Sequence, residues 1–450
     1  MSTFNHSQFA TLFLLSCSFV ILAACGDSSD PPAPADVIDD GSDGGSDDGS
    51  GDGSGGDSGE TPSPPQGVFV VSGDADSTEV QNTISWVLDP DATAYTVYWD
   101  NVPGVTDASS AVVPAFEAPS YVVHAGAEVL AASNYYYRVQ AVVAEVVSDL
   151  SDEVSGIPQL AITGNQLNDV AWNGVDTLVA VGDSGVILAS PNATTDGWSD
   201  VSTPGAPQQL TGVTWEGVNS QFLIVGAGNT VLSGDGMNWS REDLSNLAVA
   251  SNLQDVAWLG DRYIAVGNNS AIITSNADGS AWESQDAGPA VPNTSFNAVA
   301  ANAATIVVVG ANGTLLTSSD AVSWTLQPSL GNNDLNDVTW DGGQFVVVGS
   351  NDTVLTSPDG LTWTPHVPGT SDINFVAVTQ WDAGLPEKPV LGIVGSAGRF
   401  VIGPDNDPGL IIPTGTTEQL GGMTWVRGGD GPGYFVMVGN DGTVLTARHE

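Results

Sequence analysis

Residues 335–363, LNDVTWDGGQFVVVGSNDTVLTSPDGLTW, contain the unit that decides the fold of this chain. An apolar strand ends at Trp340, a second apolar run ends in Val348-Gly349, and a third begins at Thr353. The Val-Gly step occurs seven times with spacings of 39 to 46 residues, at Gly182, Gly226, Gly267, Gly310, Gly349, Gly395 and Gly439. A period of this length indicates one supersecondary unit stacked on copies of itself.

The sequence pattern of each repeat predicts four antiparallel strands. Three residues past each Val-Gly glycine stands a residue that supplies the positive φ of a tight hairpin: Gly185, Asn229, Ser270, Gly313, Asp352, Gly398 or Gly442. The pattern predicts an all-β fold with a seven-bladed β-propeller over residues 157–450. The seventh repeat ends after three strands, so we expect residues 157–162 to complete the last blade as an N-terminal strand.

The turn after the third strand carries a recurring motif. It reads SGDGMNW at 233–239, SSDAVSW at 318–324 and SPDGLTW at 357–363. We expect Asp235, Asp320 and Asp359 to accept backbone N–H groups across these turns, with the tryptophans packed between layers. The turns resemble the Asp-box of the bacterial neuraminidase (BNR) repeat, which occurs in sialidase-like propellers and in photosystem II assembly factor propellers. The resemblance implies that the three aspartates are structural and lie on the face opposite an active site.

A second domain is predicted over residues 67–156. Short alternating runs at 83–86, 95–99 and 135–143 favour a small β-sandwich. Residues 130–141, LAASNYYYRVQA, resemble the Leu…Tyr…Val-x-Ala pattern of fibronectin type III domains. In that family the tyrosine makes the corner hydrogen bond, and Trp86 would be the core tryptophan. The expected role is that of a spacer or presenter.

The first 25 residues are typical of an export signal. The apolar run over 9–24 ends at Leu22-Ala23-Ala24-Cys25. This ending resembles the bacterial lipobox, which implies that Cys25 is diacylated and becomes the mature N-terminus; an ordinary secretory signal is the alternative. Since no aspartate directly follows Cys25, the resemblance implies a lipid-anchored protein of the cell envelope, at the outer membrane.

Residues 26–66 consist mainly of Gly, Ser, Asp and Pro and contain eleven acidic residues. Such a segment buries too little apolar surface to fold, so a charged tether is predicted. Weak calcium binding by its acidic clusters is the alternative to a plain spacer, and no other cofactor or metal is expected. The whole chain has 7 Lys+Arg against 53 Asp+Glu, a formal net charge of −46, which argues against nucleic acid as a partner.

Two places are candidates for binding. Polar residues recur where the first strand of a repeat begins, beside the predicted channel: Asn168, Asp169, Asp255, Asn336 and Asp337. They form either a polar ring for a sugar or cation, or caps of the strand entry. The second place is a pair of long loops, 381–389 and 426–432, which hold Trp381, Lys388 and Arg427. Function in propellers is carried by such loops, although plain insertions are tolerated equally well.

No catalytic set is evident in the sequence. A sialidase needs three converging arginines and a tyrosine nucleophile, and no such set can be assembled from the arginines and tyrosines of residues 157–450. The sequence therefore favours a non-enzymatic envelope lipoprotein, a monomer whose propeller binds or scaffolds an envelope protein or polysaccharide. Two alternatives stay open: an extracellular glycoside hydrolase or lyase that uses two carboxylates, and an assembly factor for an envelope complex.

Overall fold

A computed structural model describes residues 61–449 except 77–78, 115–120, 126–128, 132, 159–160, 192–196, 203–208, 248–250, 292, 367–372, 382–389, 405–409 and 428–432. Cys25, Lys388 and the predicted tether up to residue 60 lie outside the described residues. The described part is built from β-strands and three single-turn 3-10 segments, at Ala311–Gly313, Ser396–Gly398 and Asn440–Gly442. None of its helical turns is long and apolar enough to cross a membrane.

The first eight strands form a two-layer sandwich. They are β1 (Phe69–Asp76), β2 (Glu79–Ser85), β3 (Ala92–Asp100), β4 (Ser110–Pro114), β5 (Tyr121–Ala125), β6 (Tyr135–Val143), β7 (Val146–Val147) and β8 (Val154–Gly156). The order β4-β3-β6-β7, with β8 beside β6, makes one layer, while β1, β2 and β5 make the other. Trp86, Tyr95 and Tyr137 are buried between the layers, and the hydroxyl of Tyr135 accepts the Leu130 N–H at 2.8 Å.

Six four-stranded antiparallel sheets follow, which we number 1 to 6 in chain order. Sheet 1 is β9 (Leu167–Trp172), β10 (Thr177–Gly182), β11 (Ile187–Pro191) and β12 (Ser199–Asp200); sheet 2 is β13 (Leu210–Glu216), β14 (Gln221–Gly226), β15 (Thr230–Gly234) and β16 (Trp239–Arg241); sheet 3 is β17 (Leu253–Trp258), β18 (Tyr263–Gly267), β19 (Ala271–Ser275) and β20 (Trp282–Gln285). Sheet 4 is β21 (Phe296–Ala301), β22 (Ile306–Gly310), β23 (Thr314–Ser318) and β24 (Thr325–Leu326); sheet 5 is β25 (Leu335–Trp340), β26 (Phe345–Gly349), β27 (Thr353–Ser357) and β28 (Thr364–His366); sheet 6 is β29 (Phe375–Trp381), β30 (Val390–Gly395), β31 (Phe400–Pro404) and β32 (Leu410–Ile412).

A seventh sheet connects the sandwich to the repeats. Its last three strands are β33 (Leu420–Val426), β34 (Tyr434–Gly439) and β35 (Val444–His449), and the full order is β33-β34-β35-β1-β2-β5. β1 runs antiparallel to β35, with Phe69 opposite His449 and Ser72 opposite Thr446. The first strand of each sheet contacts the first strand of the next, and β33 contacts β9.

The prediction of a strand at residues 157–162 is wrong. The described residues of that segment form no strand, and β1 occupies the position beside β35. A strand here must be buried on both faces: Phe69 and Val71 pack between sheets 6 and 7, while Val68 and Val70 pack inside the sandwich. The unbroken apolar run 68–71 meets this demand. Residues 157–162 include Pro158, which has no N–H to donate to a ladder.

The predicted tight turns are confirmed. All seven positions three residues past the Val-Gly glycines have φ between 52° and 74°, and the residue before each has φ between 53° and 66°. Two consecutive positive φ values define the type I′ turn, whose twist matches that of a β-hairpin. The turn between second and third strands is therefore the same in every sheet.

The Val-Gly glycines are required by a close backbone approach. A Cβ atom on any of the seven would lie 2.1–2.3 Å from the carbonyl oxygen of the residue preceding the first strand of the same sheet, as for Gly349 and Asp334. That oxygen accepts the N–H of the residue after the glycine, at 2.9 Å from Ser350 to Asp334. A side chain would therefore break a contact that every sheet repeats.

Candidate functional site at the channel mouth

Each first strand begins with a β-bulge. In sheet 5, Gly349 lies opposite Leu335 and Val348 lies opposite Asp337, so Asn336 is the extra residue. The same register shift places an extra residue in every sheet: Asn168, Thr211, Gln254, Asn297, Asn336, Val376 and Gly421. All seven line one cavity of about 520 Å³. Since a bulge redirects side chains, the repeated bulge builds this mouth from all seven sheets.

Four of the five polar bulge side chains link neighbouring sheets. Asn168 donates its Nδ2 hydrogen to the Leu210 carbonyl at 2.7 Å, Asn297 to Leu335 at 2.8 Å, and Asn336 to Phe375 at 2.6 Å. Thr211 donates its hydroxyl hydrogen to the Leu253 carbonyl at 2.8 Å. These bonds use the amide hydrogens of the three asparagines and the hydroxyl hydrogen of Thr211 between adjacent sheets.

The residue after the bulge forms a second set of links. In sheets 1, 3 and 5 it is an aspartate whose Oδ2 accepts an N–H from the next sheet at 2.8 Å: Asp169 from Val213, Asp255 from Val299 and Asp337 from Val378. The other carboxylate oxygen of each accepts the N–H of the following residue at 2.7–2.8 Å.

The corresponding positions of the remaining sheets are small, namely Gly212, Ala298, Ala377 and Gly422. A Cβ atom on Gly212 would lie 3.1 Å from the Asp255 Cα, and one on Gly422 would lie 2.6 Å from the Asp169 Cα. The glycines therefore leave room for the backbone that carries an aspartate.

Burial perturbs the three carboxyl groups. Desolvation raises the pKa of Asp255 to about 6. Desolvation, together with the nearby charge of Asp255, raises the pKa of Asp337 to about 7. The pKa of Asp169 is also raised well above its usual value by burial. No lysine, arginine or histidine is among the residues described around this cavity. No basic side chain among these residues therefore offsets the negative charge of the carboxyl groups.

The structure brings together the first predicted set. Asn168, Asp169, Asp255, Asn336 and Asp337 all line the one cavity, and each also bonds to the neighbouring sheet as a cap would. The sequence reasoning missed Thr211, Val376 and Gly421 because it searched for Asn and Asp. Counting forward from the first apolar residue of each first strand would have found them, since the bulge position never changes.

Trp381 and Arg427, the described members of the second predicted set, lie at the other end of the first strands. Trp381 is the last residue of β29 and Arg427 directly follows β33, whereas the mouth residues stand at the beginnings of these strands. Arg427 is exposed. The structure therefore does not bring Trp381 and Arg427 together with the mouth residues.

The three motif aspartates bond as expected and lie at the end away from the mouth. Oδ1 of Asp235 accepts the N–H groups of Met237 and Asn238, both at 2.8 Å. Asp320 accepts from Val322 and Ser323 at 2.8 and 2.7 Å, and Asp359 from Leu361 and Thr362 at 2.8 and 2.9 Å. The residue after each aspartate has positive φ. The turn tryptophans are buried or half-buried; Trp282 is 3% exposed.

Metal ligands do not cluster in the part of the chain that the structure describes. No group of three His, Cys, Asp or Glu side chains there is arranged to hold a metal ion.

Comparison with solved structures shows the fold class. YCF48 bound to a D1 peptide is 14% identical with a TM-score of 0.50, and the match covers 64% of this chain and 92% of that one. YCF48 from Cyanidioschyzon merolae is 14% identical with a TM-score of 0.51, covering 63% and 96%. The WD40 β-propeller domain of Doa1 is 11% identical with a TM-score of 0.50, covering 64% and 94%.

The chain has a β-propeller fold. At this identity the likeness speaks for the fold alone. No family model matches the chain, and no curated protein matches it.

Proposed function

We propose that this chain is a non-enzymatic binding or scaffolding propeller that takes a segment of a partner protein at the channel mouth. The observation that carries the proposal is the cavity of about 520 Å³ built from the bulge residues of all seven sheets. The Nδ2 groups of Asn297 and Asn336 are used within the ring, so their Oδ1 atoms remain as acceptors at the mouth. Extended peptide backbone, with one N–H per residue, suits such acceptors.

A peptide fits the mouth better than a polysaccharide. Sugar sites commonly present aromatic side chains for ring contacts, and the described residues around this cavity include none. YCF48, one of the similar structures, has been solved with a D1 peptide. The assembly-factor alternative is compatible with the same mode of binding, since an assembly factor also holds segments of its client.

The remaining parts of the chain suit presentation from the cell envelope. We propose a seven-bladed propeller with BNR-type Asp-box turns, closed by a strand of a fibronectin type III-like domain, and a lipid anchor at Cys25 that places the monomer at the outer membrane. The Tyr135–Leu130 bond and the buried Trp86 support the fibronectin-like assignment. The bonds of Asp235, Asp320 and Asp359 support the Asp-box assignment.

An extracellular glycoside hydrolase or lyase is the second candidate. The raised pKa values of Asp255 and Asp337 favour it, because a carboxyl group protonated near neutral pH can act as a general acid. Against it, each carboxylate already accepts two backbone N–H groups. Release of reducing ends from envelope polysaccharides, lost in Asp337→Asn, would establish this candidate instead.

Selection of a random peptide library on the full chain tests the proposed function. Peptides that bind are titrated against Val376→Phe, which fills the mouth at a residue without hydrogen-bonding groups on its side chain. The matched control is Met237→Phe, at an exposed turn at the opposite end of the sheets. We expect at least a tenfold loss of affinity for the first variant and none for the second. Equal affinities, or a library that yields no binder, would contradict peptide binding at the mouth.

A further inference from the structure

Sheet 7 lacks the side-chain links that connect the other first strands. Sheets 1 to 6 are joined in sequence by Asn168 and Asp169, Thr211, Asp255, Asn297, and Asn336 with Asp337. The equivalent positions are Val376 and Ala377 in sheet 6, and Gly421 and Gly422 in sheet 7. None of these four side chains can donate or accept a hydrogen bond. By residue type alone, these four positions provide no such link between β33 and β29 or between β33 and β9.

The outer edge of sheet 7 also differs. Each of sheets 1 to 6 obtains its fourth strand from its own repeat, whereas sheet 7 obtains it from the sandwich as β1. Phe69 and Val71 enter the core between sheets 6 and 7, together with Phe400 and Leu445. The alternate side chains, Val68 and Val70, belong to the sandwich core. One strand therefore serves two cores.

We propose that sheet 7 is the movable wall of the channel mouth and that the sandwich sets its position through β1. Gly421 of β33 lines the mouth cavity, so a shift of sheet 7 changes the width of the mouth. Apolar packing and β1 hold this sheet, while polar links additionally fix the first strands of sheets 1 to 6. A force or partner acting on the sandwich is thereby transmitted to the mouth, which would make the sandwich a regulator of the propeller as well as its support.

Hydrogen–deuterium exchange of the full chain tests this inference without any ligand, so its outcome is independent of peptide binding. The variant Phe69→Ala/Val71→Ala removes the side chains that β1 gives to the propeller. Val68→Ala/Val70→Ala is the matched control at the start of the same strand, because Val70 and Val68, the residue directly before β1, give their side chains to the sandwich core. We expect the first pair to speed exchange in β33–β35 at least tenfold with β17–β20 unchanged, and the control pair to speed exchange mainly in β2, β5 and β6.

A second measurement does not depend on the variants folding. In the unmodified chain at low urea, amides of β33–β35 should exchange at least tenfold faster than those of β17–β20, although both sets of strands are largely buried. Equal exchange of the two regions in the unmodified chain would overturn the inference. So would a Phe69/Val71 variant in which sheet 3 exchanges as fast as sheet 7.

Discussion

Asp169 and Val213 join the first strands of two adjacent sheets, through a hydrogen bond of 2.8 Å from the Val213 N–H to the Asp169 carboxylate. Asp255 with Val299 and Asp337 with Val378 repeat the bond two and four sheets further on. Side chains that lie beside the cavity thus also link adjacent sheets. Stability and any binding at the mouth are consequently linked to the same three carboxyl groups.

This link predicts a pH dependence of stability. Asp255 and Asp337 have pKa values of about 6 and about 7 in the folded chain, against about 4 when unfolded. The folded chain therefore binds more protons between about pH 4 and pH 7, so the free energy of unfolding should fall as the pH rises through this window. We expect a decrease on the order of 1–2 kcal/mol for the pair, with allowance for their partial exposure.

Urea unfolding at pH 5 and pH 8 measures this effect. Asp255→Asn/Asp337→Asn should lower stability at both pH values but flatten the difference between them. Asp235→Asn, on the exposed turn, is the control and should keep the slope of the parent chain. A parent chain as stable at pH 8 as at pH 5 would be at odds with the raised pKa values.

The close approach at Gly349 predicts a large effect of a single methyl group. In Gly349→Ala the new Cβ would lie 2.2 Å from the Asp334 carbonyl oxygen, so the backbone must shift. We expect a loss of about 2–3 kcal/mol in the free energy of unfolding. Gly343→Ala is the control in the same sheet, because its Cβ would meet only the Asp341 Oδ1, at 3.6 Å. Similar losses in the two variants would show that the approach is not the cause.

The turn at Asp359 predicts a smaller effect. Asp359→Ala removes the acceptor of the Leu361 and Thr362 N–H groups. Because the carboxylate is exposed, we expect a loss of only about 0.5–1 kcal/mol. Asp359→Asn keeps an acceptor oxygen and should retain most of the stability. Thermal unfolding of both variants measures the difference. If Asp359→Asn loses as much stability as Asp359→Ala, the negative charge of Asp359, and not its hydrogen bonds, stabilises the turn.

The type I′ turn at Ala397 offers a substitution that should raise the stability of the chain. Ala397 occupies a type I′ position with φ of 55°, where a side chain is unfavourable, and it is exposed. We expect Ala397→Gly to raise the free energy of unfolding by about 0.5–1 kcal/mol. Ala304→Gly, at an exposed turn residue outside the positive-φ set, should lower it by a few tenths of a kcal/mol. If Ala397→Gly instead lowers the free energy of unfolding, the positive φ of Ala397 is not a source of strain in this turn.

Much of the fold follows from local signals in the sequence. The Val-Gly steps predicted the second strands and the residue three positions later predicted each type I′ turn, because positive φ is a local property of Gly, Asn, Asp and Ser. The motif aspartates were equally predictable, since their partners lie two and three residues away. The polar residues at the mouth, such as Asn336 and Asp337, were predicted as a group because each stands at the start of the first strand of its repeat.

Only the tertiary structure decided where β1 lies and what the mouth aspartates bind. Phe69 and His449 are paired across almost the whole chain, and no local pattern favours that pairing over a strand at residues 157–162. What selects β1 is burial on both faces at once, by the sandwich core on one side and by sheets 6 and 7 on the other. The bonds of Asp169, Asp255 and Asp337 likewise depend on the neighbouring sheet, which stands more than 40 residues away along the chain. Repeats and turns are determined by neighbours in sequence, whereas the pairing of β1 with β35 and the channel mouth are determined by surfaces that meet only after the sheets have packed.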